Sequence, residues 1–245
     1  MQTPSAASEA AAKKAAAGKT AAQAEIFSNR LKKRLSHLRK WAKRSGAGAF
    51  RLYDRDIPEI PLVLDLYGDI AVGALYKRPY EKDPAEEANW LHVMREAAAR
   101  SIGLDRNHVI IKQRERQRGQ AQYEKITGRK LIREITEGTF KFKVNLSDYL
   151  DTGLFLDRRL LRRMVCEDSQ GKRVLNLFCY TGSFSVAAAA GGAISVDLPN
   201  EFFVAGFLRQ NLRSGCHKLS FYAVYCLLST NTSIIVLALN IITRI

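Results

Sequence analysis

The segment Val174-Leu175-Asn176-Leu177-Phe178-Cys179-Tyr180-Thr181-Gly182-Ser183-Phe184-Ser185-Val186 leads through an alanine run to Gly191-Gly192 and then to Ile194-Ser195-Val196-Asp197. It reads as a short apolar strand, a polar turn with one glycine, a short helix and a second strand closed by a carboxylate. Apolar residues without alternation suit a strand covered on both faces, as in a parallel sheet. Gly182 can take the backbone that turns strand into helix, and Gly191-Gly192 stop that helix where a left-handed cap is wanted. Strand, crossover helix and strand make one βαβ unit, and such sheets bind ligands beyond the carboxyl ends of their strands.

The turn narrows the ligand class. A dinucleotide site wants a glycine-rich turn that lets backbone amides approach a pyrophosphate. Tyr180-Thr181-Gly182 supplies a single glycine, which suits a nucleoside without phosphates, such as S-adenosyl-L-methionine. Asp197 would then accept hydrogen bonds from the ribose hydroxyls. The same residues are also compatible with an ordinary strand-to-helix turn and a carboxylate at a strand end.

Lys and Arg number 39 against 24 Asp and Glu in 245 residues, a formal net charge of +15. Such an excess points to a polyanionic partner, nucleic acid before an acidic membrane surface. Cys166, Cys179, Cys216 and Cys226 form no Cys-x-x-Cys pair and have no histidine at ligand spacing, so neither a metal nor a disulfide framework is expected. Reduced cysteines, and no apolar core in the first twenty residues, make a cytoplasmic protein the expectation.

Three regions are expected. Residues 1–24 are rich in Ala and Lys with almost nothing to bury, and read as a disordered tail or nascent helix. Residues 25–147 read as a basic helix followed by a small α+β module. Phe27, Leu31, Leu35, Leu38 and Ala42 form one helical stripe, and eight Lys and Arg between Arg30 and Arg44 fill the other faces. Leu62–Tyr67 and Ile70–Tyr76 read as a hairpin turning at Gly68-Asp69. Asp83 caps a helix with Pro84 at its first position and Glu86 completing a capping box. Leu91, Met94, Ala98 and Ile102 form its buried face, and Gly103 ends it. A strand at Val109–Ile111 leads into Lys112, Arg114, Arg116 and Arg118, whose alternation projects them from one face of an extended chain. These four are the candidate RNA contacts. Asp54 and Asp56, close to Pro58, read as turn and capping residues, and His37, His92 and His108 as structural. Phe140, Phe142, Val144 and Leu146 alternate with polar residues, the mark of a half-exposed strand.

The runs Asp151-Thr152-Gly153-Leu154-Phe155-Leu156-Asp157-Arg158-Arg159 and Val174 to Gly182, with upstream Arg51-Leu52-Tyr53-Asp54-Arg55-Asp56-Ile57-Pro58-Glu59 and Arg114 to Lys125, resemble the class I methyltransferases of bacterial 23S ribosomal RNA. The similarity is greatest to the guanine-N7 (K) half of the K/L fusion enzymes, and it spans residues 25–197. It implies an α/β fold: an incomplete Rossmann-like sheet, preceded by the α+β module and the basic helix. It implies S-adenosyl-L-methionine as methyl donor and 23S ribosomal RNA as partner, and a membrane is the less expected surface. Phe155, Leu156, Asp157 and Arg159 would line the cofactor site, and Asn176, Phe178, Tyr180, Thr181 and Gly182 would form its floor. The reaction implied is in-line methyl transfer to an extruded base. Guanine N7 carries a free lone pair, so no general base is needed and positioning supplies the catalysis. Cytosine-C5 methylation would instead require a cysteine nucleophile, and Cys179, inside the turn, is expected to pack.

The third region, 148–245, departs from this pattern after Asp197. The Asp-Pro-Pro-x-Phe segment that holds the target base in the family is absent, and Leu219–Thr243 carries no charged residue. A truncated methyltransferase domain with a divergent tail at 219–245 is the expectation. The alternative is a non-catalytic RNA-binding remnant.

Overall fold

A computed structural model describes residues 6–76, 83–114, 127–177, 179–198 and 234–237, with the main chain alone at 6–13 and 234–237. The chain divides into two compact units, Met1–Gly128 with Ser147–Leu150, and Arg129–Leu146 with Asp151–Ile245.

The first unit opens with one helix, α1 (Ala6–Ser45). The tail expected over 1–24 is therefore helical from Ala6 onward, because alanine favours the helix even where little is buried. Its last part also docks: Ala24 is buried, and Gln23 Oε1 accepts a bond from Trp90 Nε1 at 2.7 Å. The predicted stripe is real. Phe27, Leu31, Leu35 and Ala42 are buried, and each large member contributes about 2 kcal/mol of burial. They pack against β1 (Ala49–Asp54) and against α2 (Pro84–Ile102). The expected hairpin forms β2 (Leu62–Tyr67) and β3 (Ile70–Tyr76), with Tyr67 opposite Ile70 and Gly68 at φ 61°. β4 (Val109–Arg114) lies parallel to β3, and the sheet order is β1-β2-β3-β4. α2 starts at Pro84 with the Asp83 half of the expected capping box: Asp83 Oδ2 accepts from the Glu86 amide at 3.1 Å, and Gly103 closes the helix at φ 77°. Its buried face is centred on Trp90, Met94, Ala97, Ala98 and Ile102, with Leu91 only partly covered.

Asp56 does not cap a turn. Its carboxylate takes Arg30 Nε at 2.7 Å and Arg34 Nη1 at 3.5 Å, tying the chain after β1 to α1. Tyr53 is fully buried; its hydroxyl donates to the Ile60 carbonyl at 3.2 Å and accepts from the Ile57 amide at 3.1 Å. Burial pushes this phenol from 10.0 up to about 12, against the Ile57 amide, which lowers it. The folded state thus holds the proton more tightly than the unfolded chain. The linked stability is complete below pH 10 and is lost as pH rises through 12. Urea midpoints measured across that interval should fall in the wild type, and Tyr53→Phe should make that fall shallower while costing about 1–2 kcal/mol at neutral pH.

In the second unit, β5 (Ile132–Glu137) and β6 (Phe140–Asn145) form a hairpin with Glu137 opposite Phe140. The alternation predicted for β6 holds, with Phe140, Phe142, Val144 and Leu146 all buried. The hairpin falls within this unit. A 3-10 turn (Leu156–Arg158) leads into α3 (Arg159–Asp168), then β7 (Arg173–Asn176), α4 (Ser183–Ala190) and β8 (Ser195–Asp197). β7 and β8 are parallel, as a βαβ unit requires. Of the tail from Leu219, only β9 (Ile234–Leu237) lies within the described residues, and it pairs in parallel with the other edge of β7. The order β8-β7-β9 makes β7 the centre. Among the described residues no helix is long and apolar enough to cross a membrane.

Candidate functional site

β7 has a crossover-linked partner on one side and a strand distant in sequence on the other, so its carboxyl end is a topological switch point. Open α/β sheets bind ligands at such points. Asn176 stands there, 1% exposed, and its Nδ2 donates to Ser185 Oγ at 3.0 Å. Its Oδ1 has no hydrogen-bond partner among the described residues. A buried acceptor left this way costs free energy unless something donates to it. Oδ1 therefore fits a ligand that brings an N–H or O–H.

The turn beyond Asn176 is held in uncommon backbone. Tyr180 has φ 45° and Gly182 φ 79°, and the Gly182 amide donates to the Cys179 carbonyl at 2.6 Å. α4 then starts without a side-chain cap. Tyr180 and Thr181 are half-buried and Gly182 is buried. Thr181 Oγ1 donates to the Gly153 carbonyl at 2.6 Å, which ties the turn to the loop before α3. On that loop Phe155 is 37% exposed, with its ring 5.2 Å from that of Tyr180 and tilted by 34°. Two segments far apart in sequence thus present adjacent aromatic faces. Phe178 lies outside the described residues.

The remaining predicted cofactor residues are distributed less simply. Leu156 is half-buried, and Asp157 is exposed with Arg158 Nε at 3.3 Å. Arg159 approaches Glu137, Nε to Oε2 at 3.5 Å. Burial lowers its guanidinium pKa, Glu137 raises it and the neighbouring Arg162 lowers it again. Asp197 ends β8 beside Leu175 of β7, half-buried, with Arg173 Nη2 at 3.9 Å. Cys179 is buried and burial pushes its thiol up, away from the thiolate a nucleophile would need. Among the described residues no group of three His, Cys, Asp or Glu side chains is placed to hold a metal ion.

Two residues were missed by sequence reasoning. Glu137 and Arg162 are 4% and 0% exposed and form a bidentate pair, Nε–Oε1 2.7 Å and Nη2–Oε2 2.6 Å. Their signal was a carboxylate on the same face of β5 as Ile135 and a guanidinium three residues before Val165 on the buried face of α3.

The candidate RNA contacts also separate. Lys112 is buried, and its ammonium donates to the Tyr149 carbonyl, so it is not a surface contact. The alternation placed it correctly on one face with Arg114, but that face is covered at Lys112. Arg114 at the strand end donates to Tyr76 Oη at 3.3 Å and lies 5.7 Å from that ring's centre, and Arg55 covers the ring at 4.8 Å. Arg116 and Arg118 lie outside the described residues.

The chain is similar to known proteins in sequence and in fold. Residues 52–225 match the family described as S-adenosylmethionine-dependent methyltransferase. The Ribosomal RNA large subunit methyltransferase K of Neisseria meningitidis serogroup B is 50% identical over 181 residues, covering 72% of this chain and 51% of that protein. The Ribosomal RNA large subunit methyltransferase K/L of Shewanella pealeana is 48% identical over 179 residues, 72% of this chain and 25% of that protein. The chain thus spans about half or less of the length of these relatives. Among solved structures, a Streptococcus mutans protein described as a SAM-dependent methyltransferase superposes with a TM-score of 0.62 at 23% identity, over 82% of this chain and 52% of that one. A methyltransferase complexed with SAH superposes with a TM-score of 0.61 at 22% identity, over 82% of this chain and 52% of that one. These two show likeness of fold.

Proposed function

The chain belongs to the S-adenosylmethionine-dependent methyltransferase family, and from that membership we propose that it methylates large-subunit ribosomal RNA at guanine N7, with 23S RNA as substrate. The observation that carries the cofactor part is the unpartnered, buried Asn176 Oδ1 at the carboxyl end of β7. It is an acceptor waiting for a donor where such sheets bind ligands. The similarity to the K-type enzymes supports the RNA part.

When bound, S-adenosylmethionine supplies a methyl group on a positively charged sulfur. The chain's part is to hold and orient. Asn176 Oδ1 would accept a ligand N–H or O–H, Phe155 and Tyr180 would offer apolar faces, and Asp197 would accept from ribose hydroxyls. Leu156, Thr181 and Gly182 would flank the cofactor. Asp157 and Arg159 would stand at its edge, Arg159 with its charge turned to Glu137. No side chain has to take a proton, since N7 attacks with its own lone pair, so alignment carries the catalysis. Calorimetric titration with S-adenosylhomocysteine tests the reading: saturable one-to-one binding is expected, and no measurable heat or competition would remove it.

The RNA interaction rests on charge. Arg114 and Arg55, gathered on the Tyr76 ring, bring two guanidinium groups together, which suits phosphates. Replacing Arg114, Arg116 and Arg118 together by Ala should weaken RNA binding and lower the slope of log affinity against log salt by about one for each phosphate no longer neutralised. A slope unchanged from wild type would withdraw the assignment.

A further inference from the structure

We propose that Arg162, braced by Glu137, is a positioning residue for cofactor binding, acting by holding the Phe155 main chain so that the Phe155 ring stays beside Tyr180. The inference rests on the reading that this loop takes S-adenosylmethionine and adds to it two residues that do not themselves touch the ligand.

Arg162 spends its donors in two directions. Nε and Nη2 grip the two Glu137 oxygens at 2.7 and 2.6 Å, and Nη1 donates to the Phe155 carbonyl at 2.9 Å. The guanidinium also lies 5.5 Å from the centre of the Phe142 ring of β6. The rigid fork of arginine gives each of these three acceptors its own nitrogen, whereas lysine has one nitrogen to place among them. Hairpin, helix and loop are thereby joined at one fully buried cation.

Stability alone is a poor reason for such a pair, because desolvating two charges offsets most of their attraction, and apolar replacements often fold as well. The arm to Phe155 is different. The Phe155 ring is 37% exposed, so burial does not anchor it. The loop main chain is held at Thr152 by the Asn145 amide, at Gly153 by Thr181, and at Phe155 by Arg162 together with the Arg158 amide at 3.2 Å. With these in place the ring stands 5.2 Å from Tyr180. Without Arg162 the Phe155 carbonyl keeps only the longer bond from the Arg158 amide, and the exposed ring gains freedom to leave Tyr180. Binding would then have to supply the ordering that the fold otherwise supplies in advance. Glu137 keeps the fork aimed, and Arg159 at 3.5 Å adds positive charge to the same carboxylate.

The test uses the full chain, with S-adenosylhomocysteine as probe and thermal melting run alongside calorimetry. Arg162→Lys keeps a cation for Glu137 but not the simultaneous reach to Phe155. It should melt close to wild type and bind at least about tenfold more weakly, the size expected when one charge-assisted hydrogen bond is removed. If Arg162→Lys does not fold, the neutral pair Glu137→Gln with Arg162→Met takes its place, with the same expectation. Phe155→Ala closes a double-mutant cycle. Because Arg162 acts through Phe155, combining the two changes should weaken binding no further than Phe155→Ala alone. A folded Arg162 variant with wild-type affinity, or losses that simply add, would overturn the inference while leaving the cofactor reading intact. A wild-type chain that does not bind the probe would instead bring down that reading, and this inference with it.

Discussion

Gly182→Arg is expected to abolish measurable S-adenosylhomocysteine binding while the chain still melts cooperatively. Gly182 sits at φ 79° and ψ 15°, immediately before α4, with its amide bonded to the Cys179 carbonyl. Any L side chain there costs about 1–2 kcal/mol of backbone strain, which a turn that already carries Tyr180 at φ 45° can shed only by moving. Gly182→Ala, which introduces the strain alone, should therefore weaken binding by about tenfold. The arginine adds bulk and a positive charge at a buried position in the turn that follows Asn176. S-adenosylmethionine, itself a cation, should be excluded even more strongly than S-adenosylhomocysteine, which lacks the sulfonium charge. Wild-type affinity in Gly182→Arg would mean that the ligand sits elsewhere than at the carboxyl end of β7.

Gly191→Ala should be the most damaging single-methyl change in the second unit. A Cβ on Gly191 would lie 2.0 Å from the Cys166 carbonyl oxygen, with the Cys166 carbonyl carbon and Cα at 2.8 and 2.9 Å. All three are main-chain atoms, so no rotamer change relieves the clash and α3 must move away from α4. The φ of Gly191 is −77°, so space and not dihedral freedom demands glycine here. Overpacking of this kind costs about 3 kcal/mol, the upper part of its usual range. Gly192→Ala makes the control: its Cβ would meet the end of the flexible Gln170 side chain at 2.2 Å, which can swing aside, while φ 84° leaves only backbone strain of about 1–2 kcal/mol. Urea unfolding should rank Gly191→Ala below Gly192→Ala. The reverse order would contradict the close approach of the two helices.

The periodic elements were legible from the residues alone. The four-residue stripe of Phe27, Leu31 and Leu35, the Asp83-Pro84-Glu86 start of α2, the Gly68-Asp69 hairpin and the βαβ run from Val174 to Asp197 all depend on neighbours along the chain. So does the alternation of β6. Such features are set by backbone propensity, turn chemistry and the period at which apolar side chains must face one way. The sequence on its own therefore determined the kinds of element, most of their ends, and the single-glycine turn to which the site belongs.

Only the tertiary structure decided which of these elements meet. That β9 joins the far edge of β7, making a switch point above Asn176, follows from packing between strands nearly sixty residues apart. The same holds for the bond between Arg162 and Glu137, 25 residues distant, and for Asp56, whose partners lie 26 and 22 residues earlier in α1. Lys112 shows the rule most directly. Its place on one face of β4 was readable, but whether that face meets water or the Tyr149 carbonyl was not. Charge along a chain is a local property. Whether a charge ends up solvated, paired or buried depends on what the rest of the fold brings against it, because burial multiplies the cost of an unpaired ion and only a distant partner can offset it.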